Sequence, residues 1–320
     1  MKSNIFVKAF RLIWPKKSKL DPGVFGTKSI FDKIVFAFAL FALICVAALQ
    51  FYVIFWMCYT AFKDDIDLYL SKFALPKWNA LHWENFSNVF SIIRAEQYIE
   101  GEGYIEFGFW ELLKNSVLLS FLSPIQGSVW STLIAYVMAK YRFRGRDLFL
   151  KVNFFFMVFP IGVSLAASLR LNYAIGRYDN FLMMITTGVG PFSGMGLLIM
   201  MSFFNAIPKE MMEAAEIDGA GQFTIFFTIH LPMIFPTVLL YYVLAVFSGW
   251  NDYGTPLIWL PSMPNIALGI YQFQYDSAKY AATLPQVLAA FVMMSIPSVI
   301  FYLINQKQIM SKMIMTGLKG

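Results

Sequence analysis

The stretch EMMEAAEIDGAGQFTIFFTIHLPMIFP, Glu210 to Pro236, places four carboxylates within nine residues of an otherwise strongly apolar chain. Pro208 suits the first helical position, Glu210 favours the positive end of a helix, and Gly219 and Gly221 supply a stop. These signals predict a helix of about ten residues. Because an isolated helix shorter than roughly 12–15 residues is marginal in water, the segment is expected to dock against another surface.

The composition of the chain is that of an integral membrane protein. Of the 320 residues, 58% are hydrophobic and 14% are charged, whereas a soluble domain of this size carries about 25% charged residues. The mean hydropathy is +0.61. Cys45 and Cys58 both lie in the first apolar run, so they are expected to be buried apolar side chains rather than a disulfide or a metal site.

Charge-free runs of the length that crosses a bilayer recur along the chain. A helix needs about 20 apolar residues to cross the hydrocarbon core. A further run, 253–275, contains Pro256, Pro261 and Pro264, which would leave its backbone polar groups unsatisfied in lipid, so it is expected to form an external or re-entrant loop. The other runs predict six transmembrane helices, over residues 34–62, 115–139, 152–169, 180–206, 233–250 and 280–306.

Lys and Arg are unequally divided between the segments that link these helices. Segments on one side carry 17 of the 25 basic residues, and those on the other side carry 8. Since cytoplasmic segments are enriched in Lys and Arg, both termini are predicted to be cytoplasmic. The net charge of +6 is mostly this bias, so no nucleic-acid partner is expected.

The predicted organisation is a basic N-terminal segment, 1–33, followed by a six-helix transmembrane domain, 34–320. The domain includes an acidic extended outer loop at 63–114, a cytoplasmic loop at 207–232 and a cytoplasmic tail at 307–320. Taken alone, the loop at 207–232 has a plain interpretation, as an amphipathic segment that lies on its own protein.

Residues at fixed offsets in this loop resemble a known motif. Glu213-Ala214-Ala215, Asp218-Gly219-Ala220, Ile229, Leu231-Pro232 and Pro236 resemble the "EAA" loop of permease subunits of binding-protein-dependent ATP-binding-cassette (ABC) importers. AYVMAKYRFRGRD, 135–147, and the terminal TGLKG, 316–320, resemble the carbohydrate-uptake, maltose-permease-like branch. The resemblance covers residues from about 34 to 320. The basic segment and the acidic outer loop are longer than the family minimum, which leaves the role of the outer loop open.

The resemblance implies an all-α membrane protein with six transmembrane helices, both termini cytoplasmic, and the type I ABC importer permease fold. It implies a prokaryotic inner membrane location and multi-pass insertion in lipid. The expected partners are a second related permease subunit in a heterodimer, two cytoplasmic ATPase subunits, and an extracellular or periplasmic solute-binding protein that delivers a sugar or oligosaccharide.

In that family the loop forms a coupling helix seated in a groove of the ATPase subunit. We expect Glu213 to be the polar anchor, Ala214 and Ala215 the closely packed face, and Gly219 the turn at the end of the helix. A plain helix-terminating role competes for Asp218. The residues expected to couple to the ATPase are Glu213, Ala214, Ala215, Asp218, Gly219, Ala220, Leu231 and Pro232.

No Gly-x-x-x-x-Gly-Lys-Ser/Thr phosphate loop occurs in the chain. No cofactor is therefore expected on this chain, and ATP and Mg are expected on the partner subunits. Neither His82 nor His230 has a companion at metal-ligand spacing, and no serine or cysteine has a base at suggestive spacing. No metal site and no catalytic residue are expected, so the chain is interpreted as a transporter subunit and not an enzyme.

Sugar rings pack on aromatic faces, and their hydroxyls need amide or carboxylate partners. Near the end of the fifth predicted helix, Tyr241 and Tyr253 flank the candidate pathway residues, and an interfacial aromatic belt is the competing interpretation. The resemblance also allows the sugar site to lie largely on the sibling permease. The candidate substrate-pathway residues are Gln126, Tyr242, Trp250, Asn251 and Asp252.

The sequence is also compatible with two other classes of protein. An ion-coupled secondary transporter often places ionisable residues at membrane depth, and the six predicted helices contain no Asp, Glu, Lys, Arg or His, which argues against proton coupling and leaves sodium sites built from carbonyls open. A membrane scaffold or receptor would use the charged loop to dock some other protein.

Overall fold

The computed structural model describes residues 30–77, 79–159, 165–182, 194–275 and 283–317, with side chains as far as Gln306. Within these ranges the chain is mostly helical. The elements in order are α1 (Ile30–Thr60), α2 (Asp65–Leu70), α3 (Glu84–Ile92), β1 (Ala95–Ile99), β2 (Gly103–Phe107), α4 (Phe109–Lys140), α5 (Arg146–Val158), α6 (Leu165–Ala174), α7 (Met195–Ala206), α8 (Lys209–Ile217), α9 (Gln222–Ile225), a π-helical turn (Phe226–His230), α10 (Leu231–Trp250), α11 (Gly254–Ile258), α12 (Ile266–Tyr275) and α13 (Leu284–Gly317).

In the part of the chain that the structure describes, four helical stretches are long and apolar enough to cross a membrane. They correspond to the first, second, fifth and sixth predicted runs. The third and fourth runs include residues 160–164 and 183–193, which lie outside the described ranges, so the count of six stays a prediction. The four stretches are Lys33–Thr60, Phe109–Lys140, Gln222–Trp250 and Leu284–Gln306.

Two of these helices begin well before the apolar runs from which they were predicted. Helix α4 starts at Phe109 rather than near 115, because Gly108 caps it and the Glu111 carboxylate accepts a hydrogen bond from the Gly108 N–H at 3.2 Å. The stretch that corresponds to the fifth predicted run starts at Gln222 rather than near 233, because α9, the π-helical turn and α10 follow one another without a break. Charged and polar residues at a helix end do not interrupt the backbone hydrogen bonds of the helix. Hydropathy alone therefore places the first residue of each helix too late.

The described residues divide into two compact units, with the boundary between Trp56 and Met57. The described part of the first unit is helical from Ile30. Most of the predicted basic segment, residues 1–29, lies outside the described ranges. The expectation that Cys45 is buried is wrong, because its side chain is exposed on α1, and Cys58 is half-buried. Small thiols are compatible with such an apolar helix surface.

The fold class needs one correction, because segment 63–114 contains a β-hairpin. Strands β1 and β2 pair antiparallel, with Ala95 opposite Phe107 and Ile99 opposite Gly103. The three-residue loop between them contains Gly101, and both Gly101 and Gly103 have a positive φ, as such a loop requires. The all-α prediction missed the hairpin because strand alternation over five residues is a weak signal beside long apolar helices.

Segment 61–85, next to the hairpin, is held by a buried lysine. Lys63 is 1% exposed, and its ammonium donates to the carbonyl of Ser71 at 2.8 Å. The same ammonium lies 5.3 Å from the centre of the Tyr59 ring. Asn85 donates to the carbonyls of Ala61 and Lys63, both at 2.9 Å. Burial lowers the pKa of Lys63, and the nearby carboxylate of Asp67 opposes this shift.

The segment 253–275, predicted as an external or re-entrant loop, contains two helices and contributes part of the protein core. Gly269 of α12 packs so closely that a β-carbon there would lie 2.7 Å from the Leu112 side chain. Asn115 donates to the carbonyl of Pro264 at 2.9 Å, and the Ser116 hydroxyl accepts from the N–H of Ile266 at 2.8 Å. The prolines therefore interrupt the helix without exposing its backbone, because polar residues of α4 bond the freed groups.

Helix α10 packs closely against α4 and α7 at two glycines. A β-carbon at Gly249 of α10 would lie 3.2 Å from Cα of Ser120 in α4, and one at Gly196 of α7 would lie 2.8 Å from the Tyr241 ring of α10. Small residues let helix backbones approach closely where no water competes for the contact. The buried side chains around this junction are Ala135, Tyr136, Met138, Leu197, Met200, Met201, Phe204, Ile207, Phe226 and Ile234.

Candidate functional site

The helix predicted from the opening stretch is present as α8, Lys209–Ile217, with Pro208 at its N-cap. Its C-terminal end is closed by two backbone bonds, from Ala220 N–H to the Ala215 carbonyl at 2.9 Å and from Gly219 N–H to the Glu216 carbonyl at 3.0 Å. Gly219 has φ +82°. This is the Schellman arrangement, in which a left-handed residue after the helix lets its last carbonyls find donors.

Helix α8 has no buried residue. Ile217 is 86% exposed and Phe223, in the following short helix, is 84% exposed. Met211 is 42% exposed. A nine-residue helix with exposed apolar side chains lacks the packing that usually stabilises so short an element. The acidic side chains of Glu210, Glu213, Glu216 and Asp218 are exposed on the same segment.

The structure brings most of the predicted coupling residues together and separates two of them. Six lie in α8 and its C-terminal turn: Glu213, Ala214, Ala215, Asp218, Gly219 and Ala220. Leu231 and Pro232 instead open α10, beyond α9 and the π-helical turn. Asp218 is the C-cap residue, which agrees with the helix-terminating role that competed for it. Pro232 lies in the first turn of α10, which follows directly on the π-helical turn, and the helical backbone continues through it.

Two polar side chains that the sequence analysis passed over connect α8 to α4. Gln222 donates through Nε2 to Glu216 Oε1 at 2.9 Å and accepts through Oε1 from Tyr141 Oη at 3.0 Å. Tyr141 is the C-cap residue of α4. The only sequence signal for this contact is the presence of an amide just after the glycines, which does not identify its partners.

His230 ends the π-helical turn and is fully buried. Its Nδ1 lies 3.4 Å from the Ile225 carbonyl, and its ring centre lies 5.0 Å from that of Tyr136. The Tyr136 ring also contacts Phe226, at 4.7 Å between ring centres. These contacts hold His230 within the packed junction of α4, α7 and the π-helical turn. At the other histidine, the backbone N–H of His82 donates to the Phe62 carbonyl at 3.0 Å.

Two of the candidate pathway residues bond the backbone near prolines. Tyr242 Oη donates to the Phe121 carbonyl at 3.3 Å, close to Pro124 within α4. Trp250 Nε1 donates to the Met294 carbonyl at 3.1 Å, close to Pro297 within α13. A proline removes the N–H that would bond the carbonyl four residues before it. The two carbonyls that α10 bonds lie next to those carbonyls, in the turns that precede Pro124 and Pro297.

The other candidates differ in exposure and in bonding. Asn251 is exposed and donates to the Phe247 carbonyl at 2.9 Å. Asp252 Oδ1 accepts from the Thr255 N–H at 3.0 Å, and its carbonyl accepts from the buried Asn265 at 2.7 Å. Gln126 is half-buried on α4.

Of the two tyrosines beside these candidates, Tyr241 packs against Gly196. The ring of Tyr253 stacks on Tyr271 at 4.3 Å with an angle of 10° between the rings. The ring of Tyr271 in turn contacts that of Tyr275 at 4.8 Å. The sequence did not predict the partners of Tyr253 in α12.

Known proteins resemble this chain in sequence and in fold. Residues 131–310 match the family described as "Binding-protein-dependent transport system inner membrane component". A putative ABC transporter permease protein, ORF2, from Caldicellulosiruptor sp. (strain Rt8B.4) is 27% identical over 270 residues, which cover 82% of this chain and 90% of that protein. The arabinooligosaccharides transport system permease protein AraQ of Halalkalibacterium halodurans is 25% identical over 66% of this chain and 75% of its own length.

A solved structure supports the same fold. The crystal structure of a bacterial ABC transporter involved in the import of the acidic polysaccharide alginate contains a chain that matches with a TM-score of 0.67 and 22% identity. The match covers 87% of this chain and 98% of that chain.

The matched family region, 131–310, contains α8 with its Schellman turn, the π-helical turn and α10. Membership of this family excludes the two alternatives, an ion-coupled secondary transporter and a membrane scaffold or receptor. In this family the ATPase is a separate subunit. The chain belongs to the family of binding-protein-dependent transport system inner membrane components, and it is a multi-pass permease subunit of an ABC importer, not an enzyme.

Proposed function

We propose that the chain forms half of a pathway for ATP-driven uptake of a sugar or oligosaccharide. The names of relatives support this substrate class, since one of them is an arabinooligosaccharide permease and a structural neighbour belongs to an alginate importer. The other half of the pathway is a second, related permease. A solute-binding protein delivers the sugar, as in the alginate transporter solved in complex with a pentasaccharide-bound periplasmic protein.

The observation that carries the coupling role is that α8 has no buried residue although it is only nine residues long. A docking partner would supply the missing packing. We propose that this partner is a cytoplasmic ATPase subunit, one of two in the assembly. ATP and Mg bind there, and this chain holds no cofactor.

Within this surface each residue has a distinct role. The exposed carboxylate of Glu213 is the polar anchor, because it can form charge-assisted hydrogen bonds with a basic groove. Ala214 and Ala215 allow a close approach, and Asp218, Gly219 and Ala220 form the turn that ends the helix. Leu231 and Pro232 transmit the motion, since they begin α10.

The topology that fits this function has six transmembrane helices in a prokaryotic inner membrane, with both termini cytoplasmic, in the type I permease fold. Segments 207–232 and 307–320 are then cytoplasmic, and 63–114 is an outer loop. The excess of Lys and Arg in the segments that this topology places inside supports it.

We also retain Gln126, Tyr242, Trp250, Asn251 and Asp252 as residues of the translocation pathway. They lie on α4, on α10 and just beyond its end. Because Tyr242 and Trp250 bond backbone carbonyls of α4 and α13, each three residues before a proline, these two would shape the wall of the pathway through the backbone.

The test is co-purification of the ATPase with the membrane-inserted chain, comparing the wild type with a Glu213→Ala, Gly219→Asp double variant. The proposal expects the wild type to retain the ATPase and the variant to lose the ATPase or its transport-linked hydrolysis at equal membrane levels. An inserted wild type that recovers no ATPase, or a variant that couples normally, would refute the coupling role of α8. Uptake assays with arabinooligosaccharides and other oligosaccharides then test the substrate class.

A further inference from the structure

We propose that Gln222 is a positioning residue that joins the coupling helix α8 to the end of α4 through the Tyr141–Gln222–Glu216 clasp. This inference rests on the proposed coupling role of α8. It adds a second route by which movement of α8 reaches the membrane helices, beside the covalent connection.

Chain connectivity links α8 to only two membrane elements. Helix α7 precedes it, and α9, the π-helical turn and α10 follow it. Helix α4, which packs against both α7 and α10, has no direct covalent connection to α8. A noncovalent contact at the end of α4 is therefore needed if α8 is to move α4 directly.

The clasp uses both ends of one amide. Gln222 Nε2 donates to Glu216 Oε1 at 2.9 Å, and Gln222 Oε1 accepts from Tyr141 Oη at 3.0 Å. An ionised carboxylate only accepts hydrogen bonds, so the amide nitrogen must face Glu216 and the amide oxygen must face the tyrosine. One orientation of Gln222 satisfies both partners at once.

The Tyr141 end of the clasp rests on buried aromatic residues. Its ring meets Tyr136 edge-on, with 5.8 Å between ring centres. Tyr136 is 7% exposed and packs against Phe226 and His230. The clasp thus joins an exposed acidic helix to the packed junction of α4 and the π-helical turn.

A cavity lies beside the clasp. Tyr141 and Gln222 line this apolar cavity of about 340 Å³, with Phe223 and Phe227 on its wall. Of the two hydrogen bonds, the one from Tyr141 to Gln222 passes between α4 and the loop, whereas the one from Gln222 to Glu216 lies within the loop. Beside the cavity, the end of α4 is therefore joined to the loop by a polar contact.

A double-mutant cycle tests the clasp in the complete importer reconstituted in liposomes with its ATPase, sibling permease and binding protein. The variants are Gln222→Leu, Tyr141→Phe and the pair together, and the readout is the number of sugar molecules imported per ATP hydrolysed. We expect each single change to lower this ratio about two- to tenfold, which is the range for one hydrogen bond, and the pair to lower it no further. Wild-type ratios, or effects of the two changes that multiply, would overturn the proposal.

An exchange of partners separates positioning from general damage. Gln222→Glu alone faces Glu216 with a second carboxylate and should uncouple transport. Combining Gln222→Glu with Glu216→Gln restores a donor opposite an acceptor, so we expect the import ratio to recover at least partly. An exchanged pair that imports no better than Gln222→Glu alone would contradict the clasp. Tyr104→Phe, at an exposed position of strand β2, is the matched control and should keep the wild-type ratio.

Failure of the clasp and failure of the proposed function give different results. If the wild type recovers no ATPase, the coupling role itself fails. If the wild type assembles and transports while the clasp variants behave normally, only the role of Gln222 fails.

Discussion

The backbone N–H of Ala220 donates to the carbonyl of Ala215 across 2.9 Å, and this bond closes the end of the coupling helix. Ala215 and Ala220 belong to the motif by which the loop resembles its family, so two of the motif alanines are bonded to each other through the backbone. The bond requires Gly219 between them to adopt φ +82°. The motif therefore needs a glycine at position 219 for the backbone conformation of the turn, whether or not a partner is bound.

Gly219→Ala should weaken the association of the ATPase. An L-residue in the left-handed region costs about 1–2 kcal/mol, so binding that needs this turn should fall about fivefold or more. Gly221→Ala is the matched control, because Gly221 has φ −72° and no atom lies within 4 Å of the point that an added β-carbon would occupy. Titration of the purified ATPase onto the permease in nanodiscs measures both. Equal affinities for the two variants would contradict the assignment.

Glu213→Ala should reduce both the affinity for the ATPase and the dependence of that affinity on salt. A hydrogen bond to a charged group contributes about 1.5–3 kcal/mol, which corresponds to roughly tenfold or more in affinity. The same titration at low and high ionic strength checks this expectation. Glu102→Ala, in the turn of the hairpin, is the control and should bind as the wild type does. An unchanged salt dependence for Glu213→Ala would exclude a charged anchor at this position.

Gly249→Leu should destabilise the packing of α10 on α4. A β-carbon at Gly249 would lie 3.2 Å from the backbone of Ser120, so the helices must separate, at a cost of about 1–3 kcal/mol. Thermal unfolding in detergent should show a lower Tm. Val129→Leu, at a position on α4 where the side chain is 50% exposed, is the control and should leave Tm unchanged. A Gly249→Leu protein as stable as the wild type would argue against the close crossing.

Lys63→Met should lower Tm, and the deficit should widen as the pH rises. Burial lowers the pKa of Lys63, so between this lowered pKa and the ordinary value of about 10.4 the folded state binds fewer protons than the unfolded state. The stability contribution of Lys63 in the wild type then rises with pH, and the variant lacks this gain. Thermal unfolding from neutral pH upward, with the exposed Lys77→Met as the control, measures it. A deficit that narrows with pH would contradict the sign.

Trp250→Phe should lower Tm because it removes the indole N–H that bonds the Met294 carbonyl, three residues before Pro297. Loss of one such hydrogen bond costs about 0.5–1.5 kcal/mol. Trp110→Phe is the control, since Trp110 is 71% exposed. Comparison of Tm in detergent with the KM for sugar uptake distinguishes two roles. An unchanged Tm with a raised KM would assign the indole to the sugar rather than to the contact with α13.

Patterns along the chain were sufficient to establish the class of the protein and the position of its coupling helix. Long charge-free runs predict membrane helices because burying a charge in lipid is unfavourable, and four such helices overlap the predicted runs, although two of them begin earlier. The helix at 209–217 and its glycine stop were predictable because capping and left-handed turns depend on residues that are neighbours in the chain.

The contacts between residues that are distant in the sequence depend on how the helices pack, and they could not be predicted from the sequence. The interrupted segment 253–275 became core because Asn115 and Ser116 bond the groups around its prolines, and those residues are about 150 positions away. The amide of Gln222 found Tyr141 for the same reason, since 81 residues separate the two. Local patterns specify backbone conformation, whereas the pairing of polar groups between helices depends on how the helices pack, and no local spacing in the sequence encodes that.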